Sequence, residues 1–334
     1  MLQTLVLGLG RAGAALHLPA LAKIGEAGLP GVFADHPIAA YDPRPVDLPH
    51  LPRVRVTGDL GEAMTLVDPG SAVAHLCTPP GSRLTLLEEL ARNGFRRFVV
   101  ENPLGAGRRE LDRIGVLRRR FGLELAVVAP WLAAELTGRL VKLARSGEFG
   151  ALRSVTVNLH QPRFHRSLTD PEQTNACEVE LPHAVPVALR LAGPAELVDA
   201  EWSDMTCGER EIPRLGGASL TLRHDGGVLS RLRSDLTSPI RERSISLNLD
   251  HGIVTGYYPL GAEDDHAQLE VVSPHRSDRE VFRDDALTAF FLRTYRAFRA
   301  GRPTGLEVHE RAARLLIEAK ERCARRGLVT SNAP

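Results

Sequence analysis

The spacing of apolar residues changes partway along this chain. In the first part, short runs that are apolar at nearly every position alternate with stretches where apolar residues recur every three or four. Such runs read as strands buried on both faces, and such stretches as amphipathic helices. Strands are predicted at residues 4–7, 38–41, 54–56, 72–77, 97–100 and 123–128. Helices are predicted at residues 14–22, 60–66 and 110–121. Another starts at Ser82, carries Leu84, Leu87, Leu90 and Ala91, and stops at Asn93-Gly94. Strands alternating with helices predict a parallel, doubly wound α/β sheet.

Beyond a further helix over residues 133–146, apolar and polar residues alternate one by one. Residues 154–160, 219–223, 228–233, 244–248 and 253–255 have the period of half-buried strands. Asp225-Gly226-Gly227 and Asp250-His251-Gly252 supply tight turns, so this part is expected to be mainly antiparallel. A sheet with one broad apolar face uncovered tends to associate, which predicts a homodimer or homotetramer through that face. A last helix, over residues 308–325, has Ala312, Leu315, Leu316 and Ala319 on one side and can pack back on the first part. The pattern divides the chain into residues 1–129, α/β, and residues 130–334, α+β with a large open sheet.

Composition narrows the function classes. A chain of 334 residues is long enough for two cores. Its net charge of +1 gives no electrostatic case for nucleic acid or a membrane surface. No apolar run approaches the ~18 residues of a spanning helix, and Met1-Leu2-Gln3 leads straight into a strand, so neither a signal peptide nor an anchor is expected. Cys77, Cys177, Cys207 and Cys323 lack CxxC spacing, which points to reduced thiols in the cytoplasm. The histidines lack metal-ligand spacing, and no metal site is expected. Lysine occurs only at Lys23, Lys142 and Lys320, which limits where a catalytic lysine can stand.

Between the first strand and the first helix stands Gly8-Leu9-Gly10-Arg11-Ala12-Gly13. Three glycines so spaced form the dinucleotide-binding fingerprint. The first permits the turn, the second lets backbone approach a pyrophosphate, and the third lets helix and strand pack closely. The helix N-terminus then offers N–H groups to the anion. The acidic partner of this motif is Asp42, at the end of the second strand. Its gap from Gly13 is long, and a loop with Gly25, Gly28, Pro30 and Gly31 absorbs the excess. A carboxylate there accepts ribose hydroxyls and favours NAD, while Arg44, two residues on, can receive the 2′-phosphate of NADP.

Gly8 to Gly13 with His17, then Thr78-Pro79-Pro80, then Glu101-Asn102-Pro103-Leu104 stand in an order that resembles the Gfo/Idh/MocA oxidoreductases. Ser146 to Gly150 and the closing helix resemble later landmarks of that family. The resemblance implies an N-terminal Rossmann domain, a C-terminal domain with a large open sheet, and a nicotinamide cofactor. It adds Thr78, Pro79, Pro80, Glu101 and Pro103 to Gly8, Gly10, Arg11, Ala12, Gly13, Asp42 and Arg44 as cofactor-binding residues. Glu180 to Pro186 resembles the family segment with the catalytic histidine, here His183.

The departures fall on the chemistry. The family motif is usually Glu-Lys-Pro, with the lysine acting in proton transfer, and that lysine is Asn102 here. An amide can orient a carbonyl or hydroxyl but does not titrate near neutral pH. The usual histidine of the Thr-Pro-Pro loop is replaced by Arg83. Pro186 and Val179 stand where carboxylates usually flank the histidine, leaving Glu180 or Glu178 as partner. His183 is then the proton donor, Glu180 its carboxylate and Asn102 the orienting group. His160, Arg163, His165 and Arg166, in or beside a polar loop over residues 161–177, can contact an anionic substrate. Tyr257 and Tyr258 are further proton donors, and Trp131 a pocket lining. The expectation is a nicotinamide-dependent oxidoreductase acting on a sugar, a cyclitol, or a ketone or imine intermediate. The alternative is a catalytically inactive nucleotide-binding regulator or scaffold of the same fold.

Overall fold

The computed structural model describes residues 1–26, 33–46, 51, 53–169, 174–261 and 264–331, the last five as backbone only. Gly28, Pro30 and Gly31, expected to lengthen the loop before Asp42, lie outside them. The chain divides into two compact units, Met1–Ala129 with Leu287–Glu310, and Pro130–Ala286 with Arg311–Pro334.

The first unit alternates β1 (Gln3–Leu7), α1 (Leu18–Glu26), β2 (Ile38–Tyr41), β3 (Val54–Thr57), α2 (Leu60–Thr65), β4 (Ala72–Leu76), α3 (Pro80–Arg92), β5 (Arg97–Val100), α4 (Arg108–Phe121) and β6 (Glu124–Val127). Among the described residues its sheet has the order β3-β2-β1-β4-β5-β6, parallel throughout. That is the doubly wound Rossmann order, whose switch point falls between β1 and β4. The strands β1, β4 and β5 are nearly all buried, as in a sheet covered on both faces, while the edge strand β3 is largely exposed. Leu5, Leu7, Leu76, Phe98, Val100 and Leu125 share one core with Leu87, Leu90 and Leu117 of the helices. One local departure precedes α1: Gly13–His17 is wound as a π-turn, closed by Leu18 N–H on the Gly13 carbonyl.

The second unit opens with α5 (Pro130–Ala133) and α6 (Glu135–Ser146), two helices where one was expected from residue 133. It continues through β7 (Leu152–His160), α7 (Phe164–Thr169), a 3₁₀ turn (Ala176–Glu178) and α8 (Leu181–Ala192). The strands β8 (Ala195–Cys207), β9 (Arg210–His224), β10 (Leu229–Asp235), β11 (Glu242–Leu249), β12 (Gly252–Tyr257), β13 (His266–Ser273) and β14 (Arg276–Arg283) follow. The described strands form one sheet of order β14-β13-β12-β11-β7-β10-β9-β8, antiparallel except where β7 meets β10. Val155, Val157, Leu222, Leu232, Leu247 and Val254 are buried. Leu136 and Leu140 of α6 rest against Gly256 so closely that a side chain there would lie 2.9 Å from Leu136 Cδ1.

The opposite face corrects an expectation. Thr221, Arg231, Thr156, Ser246, Thr255 and Glu270 pair across successive strands, and the row beside them holds Ser219, Arg233, Asn158 and Ser244. These rows are polar, while the exposed Ile253, Val272 and Val281 share the same face, so the face is mixed and not broadly apolar.

The last helices are α9 (Ala286–Arg299) and α10 (Leu306–Ser331). Leu287–Glu310 belongs with the first unit, whereas the sequence pattern placed residues 130–334 together with only the closing helix, 308–325, able to pack back on the first part. The cause lies on α9. Tyr295 hydrogen-bonds Thr4 of β1 and His75 of β4, and the Phe291 ring packs on His17 and His75.

Candidate functional site

The glycine loop follows from β1 and is bound by sterics. Gly8 has φ +92°, and a Cβ there would lie 3.0 Å from the Cys77 carbonyl atoms and Thr78 Cγ2. Gly13 is tighter, since its Cβ would lie 1.9 Å from the Gly8 carbonyl oxygen. Gly10 differs from both, because a Cβ there would meet nothing within 4 Å. The first and third glycines are thus required by the fold, and the second leaves backbone open to a ligand. Arg11 is exposed beside it and Ala12 caps the π-turn.

Asp42, at the end of β2, is 3% exposed. Its Oδ2 accepts from Leu9 N–H at 2.8 Å, and its Oδ1 from Arg44 N–H at 3.0 Å and Arg44 Nε at 3.1 Å. Burial raises its pKa, but the Arg44 guanidinium and the N–H groups of Leu9 and Arg44 outweigh it and hold the carboxyl below its ordinary range. The carboxylate therefore braces the glycine loop as well as marking the strand end. The Arg44 side chain, 76% exposed, is the charge that reaches solvent there.

Two loops after β4 and β5 are stapled together by Arg83. Its Nε donates to the Thr78 carbonyl at 2.8 Å, and one terminal nitrogen donates to the carbonyls of Glu101, at 2.6 Å, and Pro103. The guanidinium is buried and cradles the turn that carries Asn102, whose peptide to Pro103 is cis. Pro79 and Pro80 start α3 beneath it. Glu101 accepts from the Asn102 N–H at 3.2 Å through Oε2 and meets His17 Nε2 at 2.8 Å through Oε1. Thr78 Oγ1 is buried with no hydrogen-bond partner among the described residues. An orphaned hydroxyl on this loop and the open side of Gly10 both fit a bound dinucleotide.

In the second unit, His183 is the third residue of α8 and its N–H donates to the Glu180 carbonyl at 3.0 Å. Glu180 stands at the start of the same helix. Its buried carboxylate accepts, through Oε1, from Gln161 Nε2 and, at 3.0 Å, from Arg163. Oε1 thereby anchors the segment after β7. Glu178 is held by Lys320, Thr174 and Asn175. The His183 ring lies 6.1 Å from Trp131, which stacks on Tyr258 at 4.2 Å. Tyr258 is buried and bonded to Thr137 at 2.6 Å, and burial pushes its pKa upward, so the phenol keeps its proton. Tyr257 is half-buried. The loop expected over residues 161–177 contains α7 with His165 and Arg166, then the 3₁₀ turn; residues 170–173 lie outside the described residues. His160 Nδ1 is buried without a hydrogen-bond partner among the described residues.

The cofactor candidates thus gather on the first unit, with Asn102 among them, and His183 and Glu180 stand on the second. Sequence reasoning missed the roles of His75, Tyr295 and the Arg83 staple. A histidine inside an otherwise apolar strand was the one available signal.

No family model matches the sequence, and no curated protein matches it. Solved structures match nearly its whole length. KijD10, a 3-ketoreductase from Actinomadura kijaniata crystallised with NADP and TDP-benzene, is 15% identical, with 96% of this chain and 98% of that one covered and a TM-score of 0.76. The UDP-N-acetylglucosamine 3-dehydrogenase GnnA from Acidithiobacillus ferrooxidans is 17% identical, with 97% and 98% covered and a TM-score of 0.72. At such identity the likeness is one of fold, and it extends to both units.

Proposed function

We propose that this chain is a nicotinamide-dependent oxidoreductase of the Gfo/Idh/MocA type, acting on a sugar carried by a nucleoside diphosphate. The observation that carries the reading is the loop at the β1–β4 switch point. There Gly8 and Gly13 admit no side chain, Gly10 stays open, and Thr78 Oγ1 lacks a partner among the described residues. The substrate class rests on the two solved structures of like fold, one holding TDP-benzene and the other named for a nucleotide sugar.

In this reading Gly8 to Gly13, with Arg11 and Ala12 at the helix start, hold the pyrophosphate. Asp42 favours NAD(H), Arg44 admits a 2′-phosphate, and their pairing sets the balance between NAD(H) and NADP(H). Thr78, Pro79, Pro80, Glu101 and Pro103 line the nicotinamide end. When bound, the nicotinamide supplies or accepts the hydride. Asn102 orients the reacting oxygen, His183 moves the proton with Glu180 as its carboxylate, and Glu180 Oε1 also holds the Gln161–Arg163 segment.

The open sheet face carries both signs of charge, Arg231 and Arg233 against Glu270, and so supports self-association as a homodimer or homotetramer by complementary polar contacts.

Fluorescence titration with NADPH and NADH, then turnover with 3-keto and 3-hydroxy nucleotide sugars, tests the proposal. Failure to bind either cofactor refutes it. Binding without turnover across that panel supports a regulator of the same fold. His183→Ala should lower kcat by roughly 10²- to 10⁴-fold with cofactor affinity intact.

A further inference from the structure

Five side chains form one hydrogen-bonded line through the first unit. Thr4 Oγ1 lies 2.7 Å from the Tyr295 hydroxyl, which lies 2.8 Å from His75 Nε2. His75 Nδ1 is 2.9 Å from His17 Nδ1, and His17 Nε2 is 2.8 Å from Glu101 Oε1. His17, His75 and Tyr295 are wholly buried and Thr4 nearly so; the Glu101 side chain, 16% exposed, is the end that reaches the surface. The line joins β1, the π-turn, β4 and α9 to the turn after β5. Of its members, the proposed chemistry uses Glu101 alone.

Proton count fixes the direction of the donors. Burial, then the neighbouring His17, hold the His75 pKa well below its ordinary range, so His75 is neutral with one N–H. Burial pushes Tyr295 well up despite its bond to Thr4, and Cys77, with Sγ 3.2 Å from His17 Nδ1, is also driven up by burial; both keep their protons. Two ring nitrogens facing each other at 2.9 Å need one proton between them.

If Tyr295 donates to His75 Nε2, the His75 proton sits on Nδ1 and is donated to His17 Nδ1. The His17 proton then sits on Nε2 and is donated to Glu101. Every group is satisfied, and the carboxylate is the line's one charge. If Tyr295 turns to Thr4 instead, His75 must donate from Nε2 and accept at Nδ1. His17 then gives its Nδ1 proton to His75, and a second proton is needed on His17 or on Glu101. A second cation on the buried His17 would stand near the buried Arg83 guanidinium, which bonds the Glu101 carbonyl. The first arrangement avoids it.

We propose that Tyr295 is a positioning residue for the candidate site. Its hydroxyl fixes the tautomers of His75 and His17 and thereby holds Glu101 as a carboxylate, with Oε1 committed to His17 and Oε2 to the Asn102 turn. This deepens the oxidoreductase reading and rests on it for the role of Glu101 toward the cofactor. The groups facing Glu101 include His17 from the π-turn, Arg83 from α3, and His75 and Cys77 behind them from β4 and its end.

The test is two-bond ¹H–¹⁵N correlation on the full, ligand-free chain with labelled histidine. Signals are assigned by their loss in His17→Gln and His75→Gln. His17 should carry its proton on Nε2 and His75 on Nδ1. Tyr295→Phe should mix the tautomers of both rings and weaken NADPH or NADH binding by roughly two- to thirtyfold. Thr4→Val should leave the tautomers and the affinity unchanged, because Tyr295 can still donate to His75. A charged or Nδ1-protonated His17 in the unaltered chain overturns the proposal, as does a folded Tyr295→Phe protein with unchanged tautomers. Should Tyr295→Phe not fold, the unaltered chain and Thr4→Val still decide it. If the expected tautomers are found and neither cofactor binds, the oxidoreductase reading fails and the tautomer lock stands.

Discussion

Two alanine substitutions in the glycine loop separate what the fold requires from what a ligand requires. At Gly13 the new Cβ would lie 1.9 Å from the Gly8 carbonyl oxygen, where ordinary contact begins at 3.4 Å. Both partners are backbone, so a gap of more than an ångström must open between the loop and the helix start. Overpacking of rigid atoms costs typically 1–3 kcal/mol, and the upper end, about 3 kcal/mol, applies here. For a unit of this size, that lowers Tm by roughly 6–12 °C. At Gly10 the same methyl meets nothing within 4 Å, and φ is not positive. Gly10→Ala should leave Tm unchanged or raise it slightly, by the ~0.4–1 kcal/mol of reduced chain entropy. It should still weaken NADPH and NADH binding by at least about tenfold, the equivalent of 1.4 kcal/mol, because the methyl fills the approach of the pyrophosphate. Thermal unfolding by circular dichroism and fluorescence titration of both variants read the two effects. If Gly13→Ala melted like the unaltered chain, or Gly10→Ala bound cofactor within twofold of it, the assignment of roles in this loop would be wrong.

Arg83→Met should destabilise the first unit by on the order of 3 kcal/mol, since three half-buried carbonyls lose their donor, and should weaken cofactor binding in parallel; urea titration measures the first effect. Arg44→Ala should weaken NADP(H) more than NAD(H), and Asp42→Ala the reverse, read by calorimetry of both cofactors. Burial lowers the pKa of His309 from 6.5 to about 4. The unfolded chain therefore takes up a proton first on acidification. The contribution is complete above the unfolded value and is lost between about pH 6.5 and 4, by up to about 3 kcal/mol. His309→Gln should flatten that slope in urea midpoints measured at pH 7 and 4.5, while His75, shifted the same way, keeps part of it.

What the amino-acid order determined by itself was local. Uniformly apolar runs between amphipathic stretches made the parallel sheet legible, and Gly8, Gly10 and Gly13 marked its switch point, because glycine sterics act between near neighbours. Period-two alternation likewise exposed β7, β9, β10 and the β11–β12 hairpin. It could not expose β14, whose residues Arg276–Arg283 are nearly all exposed and so have no apolar face to repeat. Other matters were settled only by tertiary structure. Residues 291 and 220 positions apart supply the partners of Tyr295, and no local period records which helix returns to which strand. Arg83 read as a lost histidine until three carbonyls from two loops closed around it. Glu180 stood beside His183 in sequence, and only the fold brought Gln161 and Arg163 to its Oε1. A side chain's element follows from its neighbours along the chain, while its hydrogen-bond partner follows from which donor the folded backbone brings nearest.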